Sequence, residues 1–385
     1  MDISLFFEPI DHSKEQYPEK TFGSLVRAHT KESIPDPREA QIAIIGVRSD
    51  PGREHGPLNK ASDAVRKELY ALFMKDMKVS IVDLGNMNGG HTEKDTLFAL
   101  STVLAELIQN NTIPIVIGGG KGLAFANYLA YEKLERTVSI ASIEGSMEVG
   151  VPDDELSPSS YLTKIVMHRP NYLFNFANIG YQSYQTDTAM VDLMNKLFFD
   201  AVRLGDVRNA TVNAEPLIRD SDLVLMNISA VKGGDAPGSV DPSPNGFGSE
   251  DICQLSMYAG LSDKVSSFAV YEFDPERDID KRTSKLVAQM VWCFIDGFSG
   301  RVTDVPYLNK KQFVQYHVAI GNGKQDIVFL KSKKSDRWWV QVPYARSENS
   351  GPIRQHYAPC SYSEYSMALQ DEVPDTWWKT YQKLV

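Results

Sequence analysis

A chain of 385 residues, 42% of them hydrophobic, is long enough to bury a sizeable core, and that length suits one large α/β domain with an appendage. The formal net charge of −10 argues against nucleic acid or an anionic membrane surface as the main partner, because both demand a basic face. Three cysteines, Cys253, Cys293 and Cys360, are far apart and odd in number, which excludes a disulfide framework and metal spacing and suits a reducing compartment.

In chain order, the stretch Met1 to Glu8 lacks a basic n-region, and its apolar run is too short for a signal peptide. No apolar run of spanning length follows, so the expectation is a cytoplasmic protein with no membrane contact. After a polar opening through Pro35-Asp36-Pro37, strand-like and helix-like stretches alternate for more than half the chain, the rhythm of a parallel sheet. Apolar runs fall at Ile42 to Val47, Val79 to Leu84, Ile113 to Ile117, Val138 to Ile143, Tyr172 to Ile179, Ala201 to Leu204, Leu223 to Met226 and Ser267 to Phe273. They predict a sheet of about eight strands. Thr92-Glu93-Lys94-Asp95 is a capping-box pattern that opens a helix with Leu97, Leu100 and Leu104 on one face, ending at Asn110-Asn111. A second helix, from Thr283 to Phe298, carries Leu286, Val287, Met290, Val291, Phe294 and Ile295 and is expected to pack deep against the sheet.

Beyond Gly300 the texture changes. Val314, Tyr316 and Val318 alternate, Gly321-Asn322-Gly323-Lys324 turns the chain, and Ile327 to Leu330 returns, which predicts a hairpin. A third strand is expected around Trp338 to Val342, and Trp377-Trp378 sits in a short closing helix. Residues 1–300 therefore form the expected α/β domain, and 301–385 a β-rich appendage packed on it. Four of the five tryptophans lie in that appendage. Buried, they pin it to the main domain; exposed, they mark a surface for a protein partner.

In a parallel sheet, ligands bind at the carboxyl ends of the strands. The polar residues collected there are Asp83, Gly118-Gly119-Gly120-Lys121-Gly122, Glu144, Ser146, Glu148, Asn227, Ser229, Asp235 and Glu272. A glycine-rich turn followed by lysine suits phosphate, but Pro114 stands where the first P-loop glycine belongs and Gly122 where a magnesium-binding Ser or Thr belongs. Another reading is metal-free catalysis, with Glu144, Glu148 or Glu272 as general base and Lys121 as electrophile. His91, after the loop Asn86 to Gly90, is a candidate for the site rim, beside Gly119, Gly120 and Glu272 as candidate ligand-binding residues.

The co-linear order of Gly118-Gly119-Gly120-Lys121-Gly122-Leu123-Ala124, Ser142-Ile143-Glu144-Gly145-Ser146-Met147-Glu148, Leu225-Met226-Asn227-Ile228-Ser229-Ala230 and Glu272-Phe273-Asp274-Pro275 resembles the ureohydrolase superfamily of arginase, agmatinase and formimidoylglutamase. Supporting signals are Asp83-Leu84-Gly85 and Ala64-Val65-Arg66, and the similarity spans about Ile42 to Phe298. It implies an arginase-like three-layer α/β/α fold, often assembled as oligomers. It also implies two manganese ions on Gly-Gly-Asp-His, Asp-Ala-His-x-Asp and Asp-x-Asp motifs, whose bridging hydroxide attacks a linear amidine carbon. Carried over, the first histidine falls on Lys121 and the preceding aspartate on Gly120. The second motif becomes Glu144, Ser146 and Glu148, and the third Asn227 and Ser229. Glu272 matches the glutamate that the family uses near the substrate's cationic group. Two carboxylates and an ammonium attract divalent cations far less than four carboxylates and two imidazoles. A dinuclear manganese centre is therefore expected to be absent, with no other cofactor implied. None of the seven histidines falls in these motifs. Lys121 is then expected to place its ammonium where a metal sits in the family, paired with Glu144 or Glu148. The resulting expectation is a non-catalytic binding or scaffold protein that holds a small cationic ligand or a protein partner. The alternative is a hydrolase of linear amidine C–N bonds with an atypical site.

Overall fold

The computed structural model describes residues 3–49, 57–74, 78–147, 150, 156–321, 323, 325–344 and 354–384. The main sheet is built from β1 (Arg27–Ala28), β2 (Ile42–Arg48), β3 (Ile81–Asn88), β4 (Ile113–Ile117), β5 (Val138–Ile143), β6 (Leu173–Tyr181), β7 (Asp200–Arg203), β8 (Leu223–Asn227) and β9 (Ser267–Tyr271). All pairings are parallel, in the order β1-β3-β2-β4-β9-β8-β5-β6-β7. The eight apolar runs are all strands, and β1 makes the sheet nine-stranded. β4, β5, β8 and β9 are buried at every position, which explains why their sequences do not alternate: helices cover both faces.

The helices are α1 (Phe22–Leu25), α2 (Ala61–Leu69), α3 (Glu93–Gln109), α4 (Ala124–Lys133), α5 (Tyr161–Met167), α6 (Thr188–Lys196), α7 (Leu204–Asn209), α8 (Glu215–Arg219), α9 (Ser249–Leu261) and α10 (Arg282–Ser299). One apolar layer packs Val65 and Leu69 of α2, Ile252 and Leu255 of α9 and Leu286, Met290 and Phe294 of α10 against the sheet. The opposite layer uses Leu100, Val103 and Leu104 of α3 and Tyr128 of α4. The result is three layers, α/β/α. The capping box of α3 forms, with Thr92 and Asp95 bonding each other's backbone N–H. Asp83 turns away from any ligand: it is fully buried in the fork of Arg66, at 2.8 and 2.9 Å, and accepts the Tyr70 hydroxyl at 2.8 Å.

Residues beyond Gly300 form a second, antiparallel sheet of β10 (Phe313–Ile320), β11 (Gln325–Ser332), β12 (Trp338–Tyr344) and β13 (Arg354–Cys360), followed by α11 (Tyr362–Ala368) and α12 (Asp375–Leu384). Asn322 and Lys324 of the expected turn lie outside the described residues. Val318, Ile320, Ile327, Phe329, Val340, Val342 and Trp377 form a core of their own. Arg219 at the end of α8 joins the two sheets. Its Nη2 donates to the carbonyls of Trp338 (3.1 Å) and Cys360 (3.3 Å), and its guanidinium stacks 4.3 Å over the Trp339 ring. Lys379 pairs with Asp200 at 2.7 Å, and Lys383 donates to Asn175 at 2.8 Å. Trp338, Trp339 and Trp377 are buried, whereas Trp378 is 48% exposed. Among the described residues no helix is long and apolar enough to cross a membrane.

Candidate functional site

The strand order sets β4, β9, β8 and β5 side by side, so the four strand ends carrying Lys121, Glu272, Asn227 and Glu144 are neighbours. After β4 the chain reverses through Gly118 and Gly119, whose φ angles of 97° and 83° are left-handed and cost an L side chain roughly 1–2 kcal/mol. Space is short as well, since a Cβ at Gly118 would sit 3.0 Å from the Val47 carbonyl oxygen. This turn brings Lys121 over the end of β5.

There the Lys121 ammonium lies 2.5 Å from Glu144 Oε1. Both side chains are buried, with Lys121 6% and Glu144 3% exposed. The second carboxylate oxygen, Oε2, accepts the Tyr161 hydroxyl at 2.7 Å and the Ser142 hydroxyl at 3.2 Å. A buried carboxylate needs several donors to offset its lost hydration, and Glu144 has an ammonium and two hydroxyls. Of the two partners expected for Lys121, Glu144 is in place; Glu148 lies outside the described residues.

Glu272 follows β9 with a left-handed φ of 69°, unusual for a residue with a side chain. Hydrogen bonds to described residues hold it there. Its N–H donates to the Gly119 carbonyl at 3.0 Å, its carbonyl accepts the Val240 N–H at 3.1 Å, and its Oε1 accepts the Lys121 N–H at 3.1 Å. The backbone of the glycine turn and the end of β9 are thereby locked to each other, and the buried Glu272 carboxylate faces a cavity.

That cavity has a volume of about 280 Å³ and is lined by Lys121, Glu272, Ser146, Ser159, Gln185, Ser229, Asp241 and Ser243, with Gly145 and Pro158 completing the wall. Ser146 and Ser229 are thus brought together, half-buried, at one mouth. Gln185 Nε2 donates to the Ser243 hydroxyl at 3.3 Å and its Oε1 accepts from Gln182 at 3.1 Å, tying two loops across the rim. Gly119 and Gly120 are not among the residues that line the cavity, and Gly119 acts through its backbone, which accepts the Glu272 N–H. Asn227 is buried at the end of β8, and among the described residues its Oδ1 has no hydrogen-bond partner. His91 is exposed at the approach to α3 and does not line the cavity. Asp235 turns to the start of α9, where it accepts the Ser249 N–H at 2.8 Å. Among the described residues no three His, Cys, Asp or Glu side chains converge as a metal site requires.

Tyr161, Gln185, Asp241 and Ser243 come from loops or a helix start and were not anticipated. Only Ser157-Pro158-Ser159-Ser160 before α5 offered a signal, that of a polar helix-opening turn.

The arginase family model matches residues 40–296. The chain is 25% identical over 268 residues to a formimidoylglutamase of Staphylococcus haemolyticus, covering 66% of this chain and 85% of that one. Over 251 residues it is 28% identical to a formimidoylglutamase of Staphylococcus aureus, covering 63% and 79%. In fold it is similar to the Trypanosoma cruzi formiminoglutamase crystallised with Mn2+ (TM-score 0.64, 18% identity, 70% of this chain and 97% of that one). It is also similar to the formimidoylglutamase of Bacillus subtilis (TM-score 0.62, 14% identity, 68% and 87%). Residues 301–385 fall outside the family match.

Proposed function

The chain belongs to the arginase family, and from that premise we propose that it is a binding or scaffold member of the family whose strand-end cavity holds a small ligand without metal-assisted hydrolysis. The observation that carries this reading is the buried contact of Lys121 with Glu144, 2.5 Å. A protonated lysine has donors only and cannot ligate. Its charge, placed on the carboxylate that would have to attract a divalent ion, opposes that ion instead. The remaining groups of the wall are mostly neutral hydroxyls and amides, donors too weak to replace the missing carboxylates and imidazoles. The described residues therefore do not fit a pair of manganese ions. They suit a small polar ligand whose cationic end faces Glu272 and Asp241, with serine hydroxyls along its length.

The second reading, hydrolysis of a linear amidine C–N bond, is favoured by the names of the relatives and by Glu272 in the matching segment. One experiment separates the two. The purified chain is incubated with manganese, bound metal is counted, and agmatine, arginine and formimidoylglutamate are offered. The binding reading expects well under one metal per chain and no turnover above the uncatalysed rate. Close to two metals per chain with turnover would establish the hydrolase instead.

A further inference from the structure

Cys253 and Cys293 are 40 positions apart in the sequence, yet the fold sets them side by side. Helices α9 and α10 flank β9 and run parallel, as successive helices of a parallel sheet must, and they approach until their backbones touch. A Cβ added at Gly260 would collide with the Phe294 carbonyl oxygen, and one added at Gly297 with the Met257 carbonyl oxygen. Met257 faces Gly297 across this contact. One helical turn earlier on each helix, four residues back, stand Cys253 and Cys293. The two thiols are near enough to influence each other, and both residues are half-buried rather than sealed in the core. Cys360, by contrast, is buried at the end of β13.

We propose that Cys253 and Cys293 form an oxidisable dithiol that closes to a disulfide under peroxide and staples α9 to α10. In the first step the sulfur of one residue attacks a peroxide oxygen, the O–O bond breaks, and its thiol proton leaves with the departing hydroxide as water. The sulfenic acid so formed is then attacked by the neighbouring sulfur. The S–O bond breaks, a second water leaves, and two thiols have been oxidised by two electrons while one peroxide is reduced. The neighbouring Cys293 thiol, and then burial, raise the Cys253 thiol above its ordinary range, so little thiolate is present and the reduced pair oxidises slowly.

The staple would act on more than two helices. The first turn of α10 holds Asp278 through the Thr283 and Ser284 N–H groups, both at 2.8 Å, and Thr283 accepts the Gly238 N–H at 2.8 Å. Gly238 in turn accepts from Asp274 at 2.7 Å, two residues after Glu272. Fixing α10 therefore stiffens the segment that carries the buried Glu272 carboxylate. This inference is independent of whether the cavity binds or hydrolyses.

The test treats the full chain with hydrogen peroxide and counts thiols after denaturation, with peptide mapping. The expected result is a fall from three thiols to one, a Cys253–Cys293 linked peptide two hydrogens lighter, reversal by dithiothreitol, and a higher melting temperature in the oxidised form. Cys360→Ser should leave the linkage intact, and Cys253→Ser and Cys293→Ala should each abolish it while keeping the native circular dichroism. Three surviving thiols, a linkage to Cys360, or irreversible sulfinic and sulfonic products without the linked peptide would each overturn the proposal.

Discussion

A buried ion pair is an arrangement in which neither partner can be removed cheaply. With Lys121 6% and Glu144 3% exposed, Lys121→Ala leaves a carboxylate in the core with, among the described residues, only the Tyr161 and Ser142 hydroxyls against it. Such half-broken pairs cost about 3–5 kcal/mol. Replacing both partners, as in Lys121→Met with Glu144→Leu, removes the stranded charge, so the double variant should be more stable than Lys121→Ala. Denaturant titrations of the cycle formed by the wild type, Lys121→Met, Glu144→Leu and the double variant measure the coupling. If Lys121→Ala unfolds at the wild-type midpoint, the ammonium is not buried against Glu144 and the pairing is wrong. The same cycle speaks to function, because an acid freed of its ammonium is the one change that improves attraction for a divalent cation. Lys121→Ala should therefore raise manganese binding only slightly, since Asn227 and Ser229 still supply no charge.

At the scale of elements, the contact of α9 with α10 rests on two glycines. Gly260→Ala gives α9 about 1 kcal/mol of helix propensity, but its methyl has no room against the Phe294 carbonyl. Overpacking of that kind costs about 1–3 kcal/mol, and because the obstacle is backbone rather than a yielding side chain, the loss should win. A lower urea midpoint with an unchanged slope would verify it, and a rise in stability would show that the helices part easily. The elements themselves were largely legible before the structure, for a physical reason. A strand covered on both faces must be apolar throughout, so β4, β5, β8 and β9 announced themselves as unbroken runs. A two-residue edge strand such as β1 has no run to detect, and β13 carries Pro359, tolerated only because β13 is the sheet's edge. The site divides in the same way. Lys121, Glu144, Ser146, Ser229 and Glu272 follow strands, so strand order alone brought them together. Tyr161, Gln185, Asp241 and Ser243 arrive on connections whose length and polarity say nothing about where they end. The two thiols were invisible as a pair because their proximity depends on parallel helix packing, not on spacing along the chain.

The whole molecule depends on the seam between the two sheets, and that seam should be sensitive to acid. His356 lies on β13 opposite Val342, with its ring 5.9 Å from Phe174 of the main sheet, and among the described residues its buried Nε2 has no hydrogen-bond partner. Burial lowers its pKa below the ordinary 6.5; Asp220 opposes that shift, while Lys264 and Lys383 add to it. For a base whose folded pKa is depressed, stability is complete above the unfolded value and is lost as pH falls through the folded one, because the unfolded chain takes a proton that the folded chain resists. Lowering the pH from 7 to 5 should therefore destabilise the wild-type chain in part through His356. His12 contributes with the same sign, its pKa also lowered by burial, so the histidines must be separated by substitution. His356→Phe keeps an aromatic ring beside Phe174 and cannot titrate, so its unfolding midpoint should fall less than that of the wild type over the same pH range. Equal losses in the two proteins would remove His356 from the account. A smaller loss, accompanied by tryptophan fluorescence that the variant retains and the wild type loses at pH 5, would place the acid-labile step at the attachment of residues 301–385, which carry four of the five tryptophans, rather than in the nine-stranded sheet.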